Sequence, residues 1–248
     1  MAQSGTKTST GGGTMGRRER LRAQTSAEIK SVALALMASG GPDAITLRAI
    51  AREMGMTANA IYGYFATRDD LVTTLINDVY TSLADAVDAA WETAPATRPA
   101  DRIKAWAHAL RDWALANPEG FRLVYGDPVP GYQAPPVGAA PDAGRRVCAG
   151  LTALAAAAWP YAGPHYAHSE FQWSDFDPAL LDKLRPAFPD LPPAAVALAM
   201  RIWGRLHGLV TLEVYGHLRT LTPSPAKLYR EELADLIRML GVPDEPDS

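Results

Sequence analysis

Three features of the chain predict an all-α fold. Apolar residues recur at spacings of three and four along most of its length, no run alternates with period two, and β-branched residues are sparse. With 248 residues, 48% of them apolar, the chain exceeds one small domain and can bury a sizeable core. The expected organisation is a disordered basic tail over 1–22, a three-helix unit over 23–72 and a larger helical unit over 73–248.

The elements follow in order. Met1 to Gly16 is rich in Gly, Ser and Thr without periodicity, and the basic run Arg17, Arg18, Arg20 and Arg22 follows it. Thr25 or Ser26 caps a first helix on which Ile29, Val32, Ala33, Leu36 and Met37 share a face, and Gly40-Gly41-Pro42 stops it. Thr46 caps a helix from Leu47 to Met54, Gly55 interrupts, and Thr57 caps a short helix to about Phe65. Thr67 with Asp70 makes a capping box for a long helix from Arg68 to about Trp91, with Leu71, Leu75, Val79, Leu83 and Val87 on one face. Ile103, Trp106, Leu110 and Trp113 form a stripe closed by Asn117-Pro118, and a short helix runs from Glu119 to Tyr125. Asp127 to Pro141 holds five prolines and two glycines and is a loop. Ala143 to Trp159 is helical, Pro160 to Asp177 irregular, and Pro178 to Ala187 a short helix. Pro192 to about Leu218 and residues 226–240 are the last two helices.

The stretch Leu47 to Tyr64 carries the chemistry. Two short helices crossing steeply over a tight turn need a small residue at the closest approach, met by Ala51, and a residue that tolerates positive φ, met by Gly55. Ile50, Met54, Met56 and Ile61 supply the wedge between them. An ordinary helical hairpin with a Gly turn is the plainer alternative. As a helix-turn-helix, the pair sends the N-terminal residues of its second helix, Thr57, Ala58, Asn59 and Ala60, into the major groove of DNA. Thr57 and Asn59 can bond base edges, Ala58 and Ala60 permit close approach, and Tyr62 and Tyr64 offer hydroxyls to phosphates. That helix has no Lys or Arg, so neutralisation falls to its flanks, Arg17, Arg18, Arg20, Arg22, Arg48 and Arg68, with Thr46 a further DNA-binding candidate. For Arg48 and Arg52 a solvated helix face is the competing reading. Charge agrees in direction. Residues 1–70 hold nine Lys/Arg and six Asp/Glu, or +3, and residues 71–248 hold fifteen and twenty-one, or −6, within a total of −3.

Residues 26 to about 76 resemble the DNA-binding domain of the tetracycline-repressor (TetR/AcrR) family. The resemblance rests on Ile29 to Met37, the run TLRAIAREMGMTANAIYGYF, and Thr67 to Leu71. Arg68 stands where that family usually has Lys, and Gly63 where it often has a longer polar side chain. Ile202 to Leu209 resembles the Trp-His-Gly pattern of one subgroup's C-terminal domain, and residues 126–132 fit the same subgroup. The resemblance implies a homodimer through the last two helices, a ligand cavity in the C-terminal domain and repression relieved by a small-molecule effector. The expected partner is double-stranded DNA bearing an inverted repeat, with half-sites about 34–36 Å apart or somewhat more. The helix from 68 to 91 is the expected lever. An activator on the same fold, or a helical small-molecule-binding protein that has lost DNA binding, are the alternatives.

The residues themselves bear on the second unit only in part. Gly204 and Gly208, four apart, allow close helix approach, within the chain or across a dimer axis. Trp106, Trp113, Phe121, Tyr125, Trp159 and Trp173 are candidates to line a pocket, with His207 beside them; core packing is the competing reading for each, and a satisfied structural histidine for His207. His165 and His168 near Asp175 and Asp177 lack the geometry and partners of a metal site. No cofactor is expected. Glycine-rich phosphate loops, HExxH and GxSxG are absent, which argues against an enzyme. Cys148, the single cysteine, rules out an intrachain disulfide and reads as an inert buried thiol rather than a redox sensor. No apolar run approaches the roughly 20 residues of a membrane span, and no signal-like segment opens the chain, so a cytoplasmic protein with no membrane partner is expected.

Overall fold

The computed structural model describes residues 16–244. The described residues form helices and connecting turns, with no strand among them. They divide between Arg68 and Asp69 into two compact units, four residues before the expected boundary.

The first unit holds α1 (Arg17–Gly40), α2 (Leu47–Glu53) and α3 (Ala58–Tyr62), with a 3-10 turn at Pro42–Ala44. Helix α1 begins at Arg17, so Arg17 to Arg22 are its opening turns and not part of a tail. The expectation failed because this stretch has no apolar face to read. Its start is secured by polar chemistry, with the Gly16 N–H donating to the Glu19 carboxylate at 2.9 Å. Further along, Ile29, Ala33 and Met37 are buried with Ile45, Leu47, Ile50, Ala51, Ile61 and Phe65. These apolar side chains from each helix of the unit make its core.

The second unit begins on α4 (Arg68–Thr93) and continues through α5 (Pro99–Ala116), α6 (Pro118–Tyr125), α7 (Pro141–Ala162), α8 (Pro178–Leu184), α9 (Pro193–Val214) and α10 (Pro225–Leu240). Helices α7 and α9 form its most extensive pairing. Prolines open α5, α6, α7, α8, α9 and α10, where their missing N–H would be unpaired in any case. The core gathers Leu83 and Val87 of α4, Trp106 and Leu110 of α5, Phe121 of α6, Leu154 of α7, Ile202 and Leu206 of α9, and Tyr229 and Leu236 of α10. The Tyr229 hydroxyl donates to the Ala107 carbonyl at 2.8 Å, which satisfies its one buried polar atom. Arg111 makes a two-pronged ion pair with Glu213, at 2.8 and 2.6 Å, joining α5 to α9.

Two helices differ from their expected spans. Helix α7 passes through Pro160 and ends at Ala162, after which a 3-10 turn covers Gly163–Tyr166. Helix α9 stops at Val214 instead of near Leu218, because Gly216 takes φ 79° and His217 N–H turns back to the Leu212 carbonyl at 2.9 Å. Among the described residues, no helix is long and apolar enough to cross a membrane.

Candidate nucleic-acid interface and internal cavity

The turn between α2 and α3 is built as its sequence requires. Gly55 takes φ 63°, a left-handed conformation that a Cβ would strain, and a Cβ there would meet nothing within 4 Å. The Met56 N–H returns to the Ala51 carbonyl at 2.8 Å and closes the end of α2. Each short helix has its own cap. Thr46 Oγ1 accepts from the Ala49 N–H at 3.1 Å, and Thr57 Oγ1 accepts from the Ala60 N–H at 3.2 Å.

Burial then decides which way α3 faces. Ile61 is fully buried and Phe65 nearly so, while Thr57 and Asn59 are exposed and Tyr62 keeps 48% of its surface. Ala58 and Ala60 are half-buried between these faces. The polar side of α3 is therefore a free outer surface of the first unit. Thr46, Arg48, Tyr62 and Thr67 border a shallow concavity with Leu47, Ala66 and Arg68. Arg17, Arg18, Leu21, Arg22, Thr25 and Tyr64 border a second, on the exposed opening turns of α1. Arg20 is exposed on the same turns.

Two arginines are committed within the unit. Arg68 Nε donates to the Ile45 carbonyl at 2.6 Å and its Nη2 to the Pro42 carbonyl at 3.4 Å. These bonds tie the start of α4 to the loop that leads into α2. Arg22, one of the arginines at 17–22 expected to flank the recognition helix, donates from Nη2 to the Gly63 carbonyl at 2.8 Å and covers the Tyr64 ring with its guanidinium 5.0 Å from the centroid. It fastens the opening of α1 to the end of α3. Gly63 serves this contact by its backbone carbonyl.

The second unit contains two adjoining cavities. The smaller, about 160 Å³, is walled by Leu151, Leu180, Leu184, Val196, Met200 and Trp203 among others. The larger, about 560 Å³, opens between Ile76 and Tyr80 of α4, Tyr125 of α6, α7, and the Val137–Pro141 segment, with Arg145 and Lys183 also on its wall. Cys148, Leu151 and Trp203 belong to both. Their combined size lies within the ordinary range for small-molecule sites.

Of the residues expected around a ligand, Tyr125 lines the larger cavity. Trp106, Trp113 and Phe121 are buried at 1%, 7% and 0% exposure and fill the core, which is where the largest apolar surfaces stabilise a fold most. Trp159 stacks on Tyr166, and Trp173 packs with Phe176 under the Arg185 guanidinium. His207 stands behind the cavity wall, its ring 4.6 Å from Tyr125 and 5.3 Å from Trp203 by centroids, and stacked on Phe121. Its Nδ1 is 3.1 Å from Thr211 Oγ1, and its Nε2 is buried with no hydrogen-bond partner. Burial holds the His207 pKa below the usual histidine value and pushes the Tyr80 and Tyr125 phenols and the Cys148 thiol up. The sequence reading overlooked Trp203, Cys148, Tyr80 and the loop wall. The available signal on α7 was Gly144, whose missing side chain leaves space where the aromatic search looked for bulk.

A short capped helix turned outward by a left-handed glycine, with arginines on neighbouring helices, defines a helix-turn-helix DNA-binding protein. Residues 29–75 match the model of bacterial regulatory proteins of the tetR family, and residues 103–236 match the tetracyclin repressor-like C-terminal domain. The HTH-type transcriptional regulator Rv1816 of Mycobacterium tuberculosis is 36% identical over 206 residues, which cover 82% of this chain and 86% of that one. The crystal structure of the regulatory protein SCO4313 superposes with a TM-score of 0.68 at 35% identity, covering 90% of this chain and all of that one. A regulatory protein in the tetR family from Rhodococcus RHA1 shares the fold, with a TM-score of 0.58 at 20% identity over 89% of this chain and 99% of its own. The chain belongs to the TetR family of transcriptional regulators, which bind DNA and are not enzymes.

Proposed function

We propose that the protein is a homodimeric repressor that reads an inverted repeat in double-stranded DNA and releases it when an apolar small molecule enters the second unit. The observation that carries this reading is the outward polar face of α3, where Thr57 and Asn59 are exposed on a helix whose other side is anchored by fully buried Ile61. Asn59 reads base edges, with adenine the geometric preference, and Ala58 and Ala60 allow the helix to approach the groove floor. Arg17, Arg18, Arg20 and Arg48, with the Tyr62 and Tyr64 hydroxyls and Thr46, meet phosphates.

Dimerisation is supported by the outer faces of α9 and α10. A Cβ at Gly204 or Gly208 would meet nothing within 4 Å, so neither glycine serves packing inside the chain. Each costs a helix roughly 1 kcal/mol relative to Ala, which a close approach by a partner helix offsets. Met200, Leu212 and Tyr215 on α9, with Leu228 and Met239 on α10, are large apolar side chains left exposed around them. Arg205 bonds Glu232 at 2.5 Å and holds the two helices side by side for a four-helix interface across a two-fold axis. The two adjoining cavities, apolar over most of their walls, suit an apolar effector.

The test is a band shift with DNA from upstream of the protein's own gene. A specific complex is expected, weakening steeply as salt rises because phosphate contacts release counterions. Asn59→Ala should relax preference at one base position and cost roughly 1–3 kcal/mol at the best site. A protein that holds every DNA fragment equally, or none, overturns the reading.

A further inference from the structure

Two phenols in the larger cavity have nothing to bond. Tyr80 of α4 and Tyr125 of α6 both line it, and neither hydroxyl has a hydrogen-bond partner among the described residues. Tyr229, in the core of the same unit, gives its hydroxyl to the Ala107 carbonyl at 2.8 Å. A phenol away from bulk water without such an acceptor forfeits a bond that water would give it, so its surroundings leave room for a partner from outside the chain.

The two donors are held in place before anything enters. Tyr80 meets the Tyr125 ring edge-on at 6.1 Å between centroids, and Tyr125 rests against Phe121 at 5.0 Å and His207 at 4.6 Å. Rings fixed in this way lose little freedom when a ligand arrives. Cys148 of α7 lines the same space and carries a third, weaker donor. Burial, and then their closeness to one another and to this thiol, pushes both phenols up, and burial pushes the thiol up as well. All three stay protonated and can donate.

The same surroundings decide the charge of the occupant. A carboxylate lodged beside the phenols would meet the loss of water that keeps them from ionising. The cations on the wall, Arg145 and Lys183, are exposed, and Arg145 already pairs with Asp142 at 3.0 Å, so water screens both. The smaller cavity, joined at Cys148, Leu151 and Trp203, is walled by apolar side chains such as Leu180, Leu184 and Val196. Thr152 also borders it, but its hydroxyl is spent on the Cys148 carbonyl at 2.9 Å. A hydrocarbon tail suits that space, and a charged group does not.

We propose that the effector is a neutral carbonyl compound with an apolar tail, a ketone or an ester, whose oxygen accepts from Tyr80 and Tyr125 while the tail enters the smaller cavity. A carbonyl oxygen has two lone pairs, one for each phenol. This assignment rests on the ligand-responsive reading given above and names the chemistry of its effector.

The probe is Prodan, a neutral naphthyl ketone whose emission moves to the blue as it leaves water. Its control is N,N-dimethyl-2-naphthylamine, the same ring system without the carbonyl. Both are titrated into the full-length protein, as wild type and as Tyr80→Phe/Tyr125→Phe, which keeps the rings and removes the donors. 2-Undecanone and undecanoate then compete for bound Prodan at about pH 7.5, where the acid is fully ionised.

Wild type is expected to bind Prodan and to release it to 2-undecanone at about tenfold lower concentration than to undecanoate. The double variant should bind Prodan about tenfold more weakly, or about 1.4 kcal/mol, the order of one or two neutral hydrogen bonds. It should hold the carbonyl-free amine within about twofold of wild type. Equal losses for both probes make the tyrosines mere wall and overturn the carbonyl assignment, as does a wild type that binds neither. Undecanoate displacing Prodan better than the ketone, with that advantage lost in Lys183→Met, overturns it in favour of an acid held at the rim. Should the double variant fold poorly, the competition in wild type still decides between ketone and acid. Binding is read without DNA, so it stands or falls apart from the repressor reading, which the band shift tests.

Discussion

Arg22 spends its guanidinium on the protein, on the Gly63 carbonyl and the Tyr64 ring, and so sets how the end of α3 sits against α1. It is a positioning residue, and its replacement separates position from charge. Arg22→Met should weaken operator binding about three- to tenfold, the size of one charge-assisted hydrogen bond partly compensated. The slope of log affinity against log salt should stay as in the wild type, since no phosphate contact is lost; a shallower slope would place Arg22 on the DNA. His207 gives a pH prediction. Burial among Phe121, Tyr125 and Trp203 lowers its pKa, so the fold holds the neutral ring and binds fewer protons than the unfolded chain. Its contribution is whole above the ordinary value of 6.5 and is lost as pH falls below it. His207→Phe, which keeps a ring in that cluster and removes the unpaired Nε2, should lose less melting temperature than the wild type between about pH 7.5 and pH 5. Parallel melting curves over that range would count against it.

Among the elements, α5 and α9 are joined by the Arg111–Glu213 pair, whose side chains are each 13% exposed. Arg111→Ala leaves a buried carboxylate without its partner and should cost roughly 3–5 kcal/mol in denaturant unfolding, whereas the double change Arg111→Met/Glu213→Leu should recover most of that. Such a pair could not be foreseen, because Arg111 and Glu213 are far apart in the chain and nothing in either segment points to the other. Elements with an apolar rhythm were legible: α4 through Leu71, Leu75, Val79, Leu83 and Val87, and α5 through Ile103, Trp106, Leu110 and Trp113. The opening of α1 was not, since its first turns are exposed and arginine-rich, and periodicity reports burial alone. The turn at Gly55 was legible down to its positive φ, because one residue type answers that demand. The walls of the cavity were hidden for the opposite reason. Space is made by what is absent, and Gly144, which lines the larger cavity on α7, announces no chemistry.

For the molecule as a whole, the dimer proposed on α9 and α10 makes a separable demand. A Cβ at position 204 meets nothing within 4 Å, so each Gly204→Leu protomer should fold with unchanged or slightly greater helix stability. Sedimentation should then show a monomer, and operator affinity should fall by far more than for a change on α3, because one recognition helix no longer brings the other. If the Gly204→Leu protein instead sediments as a dimer, the interface lies elsewhere.

Helix α3 carries no Lys or Arg, and the arginines that border the proposed DNA surface stand on α1, α2 and the start of α4. In the proposed complex, discrimination among bases and adhesion to the duplex therefore reside in different helices. A descendant of this chain can acquire a new target by exchanging Asn59 or Ala58 while its adhesion is inherited intact, so duplicated copies can diverge in the genes they govern without passing through a form that no longer holds DNA.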